Sequence, residues 1–134
     1  MQITEGGCLC RAVRYRFSGL PLSSIICHCA TCRKANASPT VAWLTIDRAQ
    51  FQFLAGSPQY FQSSHDVVRR FCARCGSQLT YENAGSPNTI DVTTASLDQP
   101  NSFAPTMEVW LEHRLEWQVA NLNLGQFRQG TEDD

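Results

Sequence analysis

The chain has 134 residues, 43% of them hydrophobic and 17% charged, a size and balance that suit one domain with its own buried core. Eleven Lys and Arg stand against 12 Asp and Glu for a net charge of −1, and the basic residues are scattered, which argues against nucleic acid as a partner. No apolar run approaches the ~20 residues of a bilayer helix, and the opening MQITEGGCLC lacks the basic-then-apolar pattern of an export signal. The expectation is a cytoplasmic protein with no membrane contact and reduced thiols.

Taken in chain order, the elements are mostly strands. In AVRYRFSG, Val13, Tyr15 and Phe17 alternate with Arg14 and Arg16, and Gly19 and Pro21 close the strand. TCRKANAS suggests about one helical turn, stopped by Pro39. TVAWLTI is β-rich and apolar on both faces, QFQFLAG alternates up to Gly56, and VVRRF leads into a C-x-x-C turn. SQLTYE and NTIDVTT are separated by the turn signal NAGSPN. MEVWLE sets Met107, Val109 and Leu111 against Glu108, Trp110 and Glu112, whereas HRLEWQVANL is ambiguous between helix and strand. The chain reads as mainly β, a single domain over residues 1–129 with a frayed acidic tail at 130–134.

Seven cysteines are many for a reducing compartment, where disulfides are rare, and the odd number opposes a fully paired framework. They fall as Cys8-x-Cys10, Cys27-x-Cys29-x-x-Cys32 and Cys72-x-x-Cys75, spacings at which sulfurs from one turn reach a common ion at ~2.3 Å. Gly6, Gly7 and Gly76 beside these turns are expected to supply backbone freedom. One grouping joins Cys8, Cys10, Cys72 and Cys75 into a closed tetrahedron and leaves Cys27, Cys29 and Cys32 to face a second ion. The competing grouping joins Cys29 and Cys32 to Cys72 and Cys75 as a zinc ribbon, across a stretch longer than the ~15–20 residues usual for that motif. Thiolates favour zinc, with an iron–sulfur cluster as the alternative.

Three thiolates leave one coordination place open, which distinguishes a catalytic site from a structural one. Such a site suits a substrate thiol, kept ionised and still nucleophilic towards a small carbonyl compound. His28 lies between two of these cysteines and reads as a hydrogen-bonding neighbour or proton carrier, facing away from the ion. His65 and His113 read as surface residues. Arg33 and Lys34 are candidates to steer an anionic ligand, while Arg14 with Arg16 and Arg69 with Arg70 read as solvated strand faces. Trp43 and Trp110 read as core, with a pocket contact as the alternative.

Four segments in this order, GGCLCRAVRY, CHCATCRK, RRFCARCGSQL and PTMEVWLEHRLEW, resemble the family of the glutathione-dependent formaldehyde-activating enzyme and centromere protein V. The resemblance implies a β-tent of small antiparallel sheets stapled by a structural zinc on Cys8, Cys10, Cys72 and Cys75. It implies a second, catalytic zinc on Cys27, Cys29 and Cys32, hence two zinc ions per chain. The implied activity is that of a carbon–sulfur lyase, joining a small thiol such as glutathione to a small aldehyde, formaldehyde, as S-hydroxymethylglutathione. The alternative is a zinc-stabilised binding module without catalysis. Three positions depart from the family pattern: Ala37 where Gly is frequent, Glu108 where His is common, and Glu116 where Pro usually precedes the Trp.

Overall fold

A computed structural model describes residues 1–131, so positions 132–134 of the expected acidic tail lie outside the described residues. Two sheets account for the architecture. The smaller has the order β1 (Ile3–Gly7), β2 (Arg14–Ser18), β5 (Phe51–Ala55), all antiparallel. The larger runs β11-β10-β3-β4-β9-β8-β7-β6, built from β3 (Ser23–Cys27), β4 (Val41–Asp47), β6 (Gln59–Ser64), β7 (Val67–Phe71), β8 (Gln78–Asn83), β9 (Thr89–Thr93), β10 (Met107–Val109) and β11 (Gly125–Gln126). Its pairings are antiparallel except around β10, which runs parallel to both β3 and β11.

Alternation decides what each face of the larger sheet covers. On β4, Leu44 and Ile46 join Tyr15, Phe17, Phe51, Leu79, Ile90 and Val92 in the core between the sheets. From the same strand, Val41 and Trp43 turn the other way and pack with Cys27, Cys32 and Val109. This is why TVAWLTI carries apolar residues on both faces: both faces of this central strand are covered. Tyr15 and Phe17 are fully buried, as the alternation in AVRYRFSG requires, and Tyr15 stacks on Phe51 with ring centroids 5.5 Å apart.

The helix α1 covers Ala30–Asn36, about two turns rather than the one expected. It ends at Ala37 in the left-handed conformation (φ 49°), where the N–H groups of Ala37 and Ser38 close back on the carbonyls of Lys34 and Arg33. The period-two pattern of MEVWLE stops after Val109, because Trp110 adopts φ 58° and turns the chain out of the sheet. Apart from His113, which ends a 3-10 turn over Leu111–His113, HRLEWQVANL forms neither helix nor strand. There the Arg114 guanidinium donates to the carbonyls of Leu115, Glu116 and Gln118, holding the segment as turns, with Trp117 and Val119 left exposed. No helix among the described residues is long and apolar enough to cross a membrane.

Candidate functional site

The seven cysteines are free thiols gathered in two sets on opposite faces of the larger sheet. Cys8 and Cys10 come from the turn between β1 and β2, and Cys72 and Cys75 from the turn between β7 and β8. The four sulfurs converge beside the inter-sheet core. Cys8 and Cys10 sulfurs lie 3.6 Å apart, and those of Cys10 and Cys72 lie 3.7 Å apart. A tetrahedron with metal–sulfur bonds of ~2.3 Å has sulfur edges of ~3.8 Å, so the donor set fits an ion of zinc's size.

Backbone N–H groups reinforce the fit. Val13 donates to the Cys8 sulfur at 3.2 Å, and Arg74 and Cys75 each donate to the Cys72 sulfur at 3.4 Å, contacts that stabilise thiolates. Hydrogen bonds from the Ser77 side chain and backbone lower the Cys75 thiol to about 5. Gly76 supports this turn with φ 81°, a conformation that other residues rarely hold. Gly6 and Gly7 serve a different purpose from the freedom expected of them. A Cβ on Gly6 would lie 2.4 Å from the Tyr15 hydroxyl and one on Gly7 2.3 Å from the Val13 carbonyl, so it is space that they provide.

Cys27, Cys29 and Cys32 form the second set, again with sulfurs close enough to hold one ion. Cys27 ends β3, Cys29 precedes α1, and Cys32 lies buried in its first turn. The Cys29 N–H donates to the Cys27 sulfur at 3.4 Å, and the Thr31 hydroxyl lies 3.0 Å from the Cys29 sulfur. Hydrogen bonds from the Cys27 and Cys32 thiols hold Cys29 far below the usual thiol range, and the contacts with Cys29 and Cys32 push Cys27 up. A negative charge is therefore stabilised at Cys29, whereas Cys27 and Cys32 are both raised. Its donors are three, one short of a closed tetrahedron.

This trio opens on a cavity of about 800 Å³, within the ~300–1,000 Å³ range of small-molecule sites. Trp43, Tyr81, Val109 and Trp110 form apolar parts of its wall, and Thr131 also lines it. The two tryptophans are thus both core and pocket. The cation in this wall is Arg69, one of the arginines expected on a solvated strand face. It is 4% exposed because β7 lies inside the sheet between β6 and β8 and turns residue 69 to the same face as Cys27. Its Nη2 lies 3.6 Å from the Cys32 sulfur, its Nε donates to the Ser63 hydroxyl at 3.0 Å, and its guanidinium covers the Tyr81 ring at 5.0 Å. Sequence reasoning missed it, although the shared parity with buried Val67 was a usable signal.

Arg33 and Lys34 point elsewhere. The Arg33 guanidinium donates to the His113 carbonyl at 2.8 Å, Lys34 is exposed, and neither lines the cavity. His113 is more engaged than expected of a surface residue: its Nδ1 accepts the Ala30 N–H at 3.2 Å, and its ring packs on Trp110. His65 is exposed.

His28 faces away from the trio and is fully buried, its Nε2 donating to Glu108 Oε1 at 2.8 Å. Glu108, a partner the sequence did not reveal, also accepts from the Asn121 N–H at 2.6 Å and the Gln126 amide at 3.2 Å. Burial opposes its charge, but these hydrogen bonds hold its carboxyl below the ordinary value.

The fold and the two thiol clusters together define a small β protein with two sites able to hold metal ions. The chain belongs to the glutathione-dependent formaldehyde-activating enzyme family, whose profile matches residues 3–113. It is 32% identical over 89 residues to an uncharacterised lyase of Schizosaccharomyces pombe, a match covering 65% of this chain and 64% of that protein, just under two thirds of the relative's length. The fold is similar to the crystal structure of a Rhodobacter sphaeroides protein, with a TM-score of 0.62 at 20% identity over 75% of this chain and 97% of that one.

Proposed function

We propose that this chain is a zinc-dependent carbon–sulfur lyase acting on a thiol–aldehyde adduct, with glutathione and formaldehyde joined as S-hydroxymethylglutathione. The observation that carries this reading is the contrast between the two clusters. Four sulfurs beside the inter-sheet core make a closed, structural set, whereas three sulfurs face a cavity of small-molecule size. Zinc held by Cys27, Cys29 and Cys32 would keep a substrate thiol ionised near neutral pH while leaving its sulfur nucleophilic.

The chain's own groups supply the rest. Trp43, Tyr81 and Val109 keep part of the wall apolar, which limits water around a reactive adduct. The Cys29 N–H and the Thr31 hydroxyl stabilise charge on the trio, and the His28–Glu108 pair fixes the turn that carries it. Family membership and the lyase name of the yeast relative support the same class of chemistry. Seven free thiols suit a reducing compartment such as the cytoplasm.

Nuclear magnetic resonance exchange spectroscopy of labelled formaldehyde with glutathione, with and without zinc-loaded protein, tests the proposal. Acceleration that is lost in Cys32→Ser supports it. No acceleration with any small thiol would leave a zinc-stabilised binding module as the better reading.

A further inference from the structure

The Arg69 guanidinium is oriented on two sides and unpartnered on the third. Ser63 holds Nε and the Cys32 sulfur holds Nη2, but Nη1 is buried without a hydrogen-bond partner among the described residues. A buried donor without a partner is costly and rare, and it marks a place where a ligand can complete the pairing. Tyr81 lies under the guanidinium plane and restricts its motion. A planar, permanently charged donor is therefore held beside the sulfur trio, with one N–H still to be satisfied.

Distance selects the ligand atom. Nη2 is 3.6 Å from a sulfur of the trio, so a thiol docked at those sulfurs brings its own sulfur close to the guanidinium. An oxygen one carbon away from that sulfur stays beside the guanidinium, where Nη1 is the donor still to be paired. The carboxylates of a peptide thiol such as glutathione lie beyond a further peptide or isopeptide bond. Arg69 is thus placed for the reacting oxygen and poorly placed for the remote carboxylates.

We propose that Arg69 is a catalytic residue whose Nη1 donates a hydrogen bond to the oxyanion formed when thiol sulfur and aldehyde carbon join; this rests on the lyase reading above. A sulfur lone pair forms the carbon–sulfur bond, the carbonyl π bond breaks, and its electron pair moves to oxygen. That oxygen takes a proton from water, while the proton of the original thiol has left to solvent, so no oxidant or reductant is needed. Arg69 keeps its proton throughout and acts by charge and hydrogen bonding. In the reverse direction the same donor stabilises the alkoxide from which formaldehyde departs.

The test uses zinc-loaded wild type, Arg69→Gln and Arg69→Lys, with zinc content and thermal melting measured for each. Exchange kinetics are compared for glutathione and for 2-mercaptoethanol, which carries no carboxylate. Arg69→Gln is expected to lower kcat and kcat/KM together by ~100-fold for both thiols with little change in KM, and Arg69→Lys to lose less. A loss confined to glutathione and expressed in KM would make Arg69 a carboxylate anchor and overturn the proposal; so would unchanged kinetics.

A binding measurement stands apart from turnover. By calorimetry, wild type should bind thioglycolate, whose carboxylate oxygens lie two carbons from sulfur as the hydroxyl of 2-mercaptoethanol does, at least tenfold more tightly than 2-mercaptoethanol, and Arg69→Gln should erase that preference. Equal affinities in wild type would refute the oxyanion role. If wild type accelerated no thiol–aldehyde exchange yet showed the preference, the lyase reading would fail while the anion site at Arg69 stood.

Discussion

His28 Nε2 and Glu108 Oε1 lie 2.8 Å apart with neither side chain open to solvent, so an imidazole–carboxylate hydrogen bond is buried directly behind the Cys27–Cys29 turn. Glu108 binds that turn to the 121–126 segment as well, through the Asn121 N–H and the Gln126 amide. Such a group stabilises little compared with an apolar substitute of equal fit, yet removing one partner strands the other.

Glu108→Ala should therefore destabilise the fold by about 3 kcal/mol or more, and Glu108→Gln, which keeps a hydrogen-bonding oxygen, by less. Urea unfolding followed by tryptophan fluorescence measures both. Equal stability of Glu108→Ala and wild type would show that the contact adds nothing.

The two thiol clusters should respond differently to loss of one sulfur. Cys72→Ser opens the set that joins the β1–β2 turn to the β7–β8 turn beside the main core, and it is expected to cost several kcal/mol and to leave much of the chain unfolded without excess zinc. Cys32→Ser touches only the cavity face and should retain near-wild-type circular dichroism while losing thiol–aldehyde exchange. If both sets hold zinc as proposed, zinc analysis should then find one ion fewer per chain than in wild type.

Ala37 holds φ 49° at the end of α1 and is exposed, so its methyl group makes the left-handed cap harder without contributing packing. Ala37→Gly is predicted to stabilise by about 1 kcal/mol, the strain relieved exceeding the extra freedom of the unfolded chain. A melting point raised by ~4 °C in calorimetry is the expected outcome.

Arg14 and Asp98 form a two-pronged ion pair, with N–O distances of 2.9 and 2.5 Å, that ties β2 to the loop after β9. The Arg14 hydrogen bond holds the Asp98 carboxyl below its ordinary 3.8. A carboxyl lowered on folding gives stability that is full above the unfolded value and is lost as pH falls through the folded one. Since both side chains are partly exposed, solvent screening limits the effect to less than ~1 kcal/mol. Asp98→Asn should lose that much at pH 7 and show a shallower decline below pH 4, measured by urea midpoints across pH.

Much of the fold was readable because strand alternation is a local property. Tyr15 and Phe17 had to face inward once Arg14 and Arg16 flanked them, and the doubly covered β4 was apparent in TVAWLTI. The readings that failed concern residues whose surroundings are assembled from distant segments. Arg69 is buried because Tyr81 and Cys32 close over it, and Glu108 because His28 lies 80 residues away in the chain. HRLEWQVANL misled through its apolar residues, several of which the tertiary structure leaves outside: Trp117 and Val119 are 69% and 82% exposed.

By itself the sequence determined that the thiols come in clustered sets with metal-ligand spacing, since sulfurs within one turn are neighbours whatever the rest of the chain does. Tertiary structure alone decided that Cys8 and Cys10 meet Cys72 and Cys75, that the remaining trio faces a cavity, and that Arg69 supplies its cation. The reason is physical: a turn is closed by its own backbone, whereas the face a strand residue occupies depends on partners that pair with it only after folding.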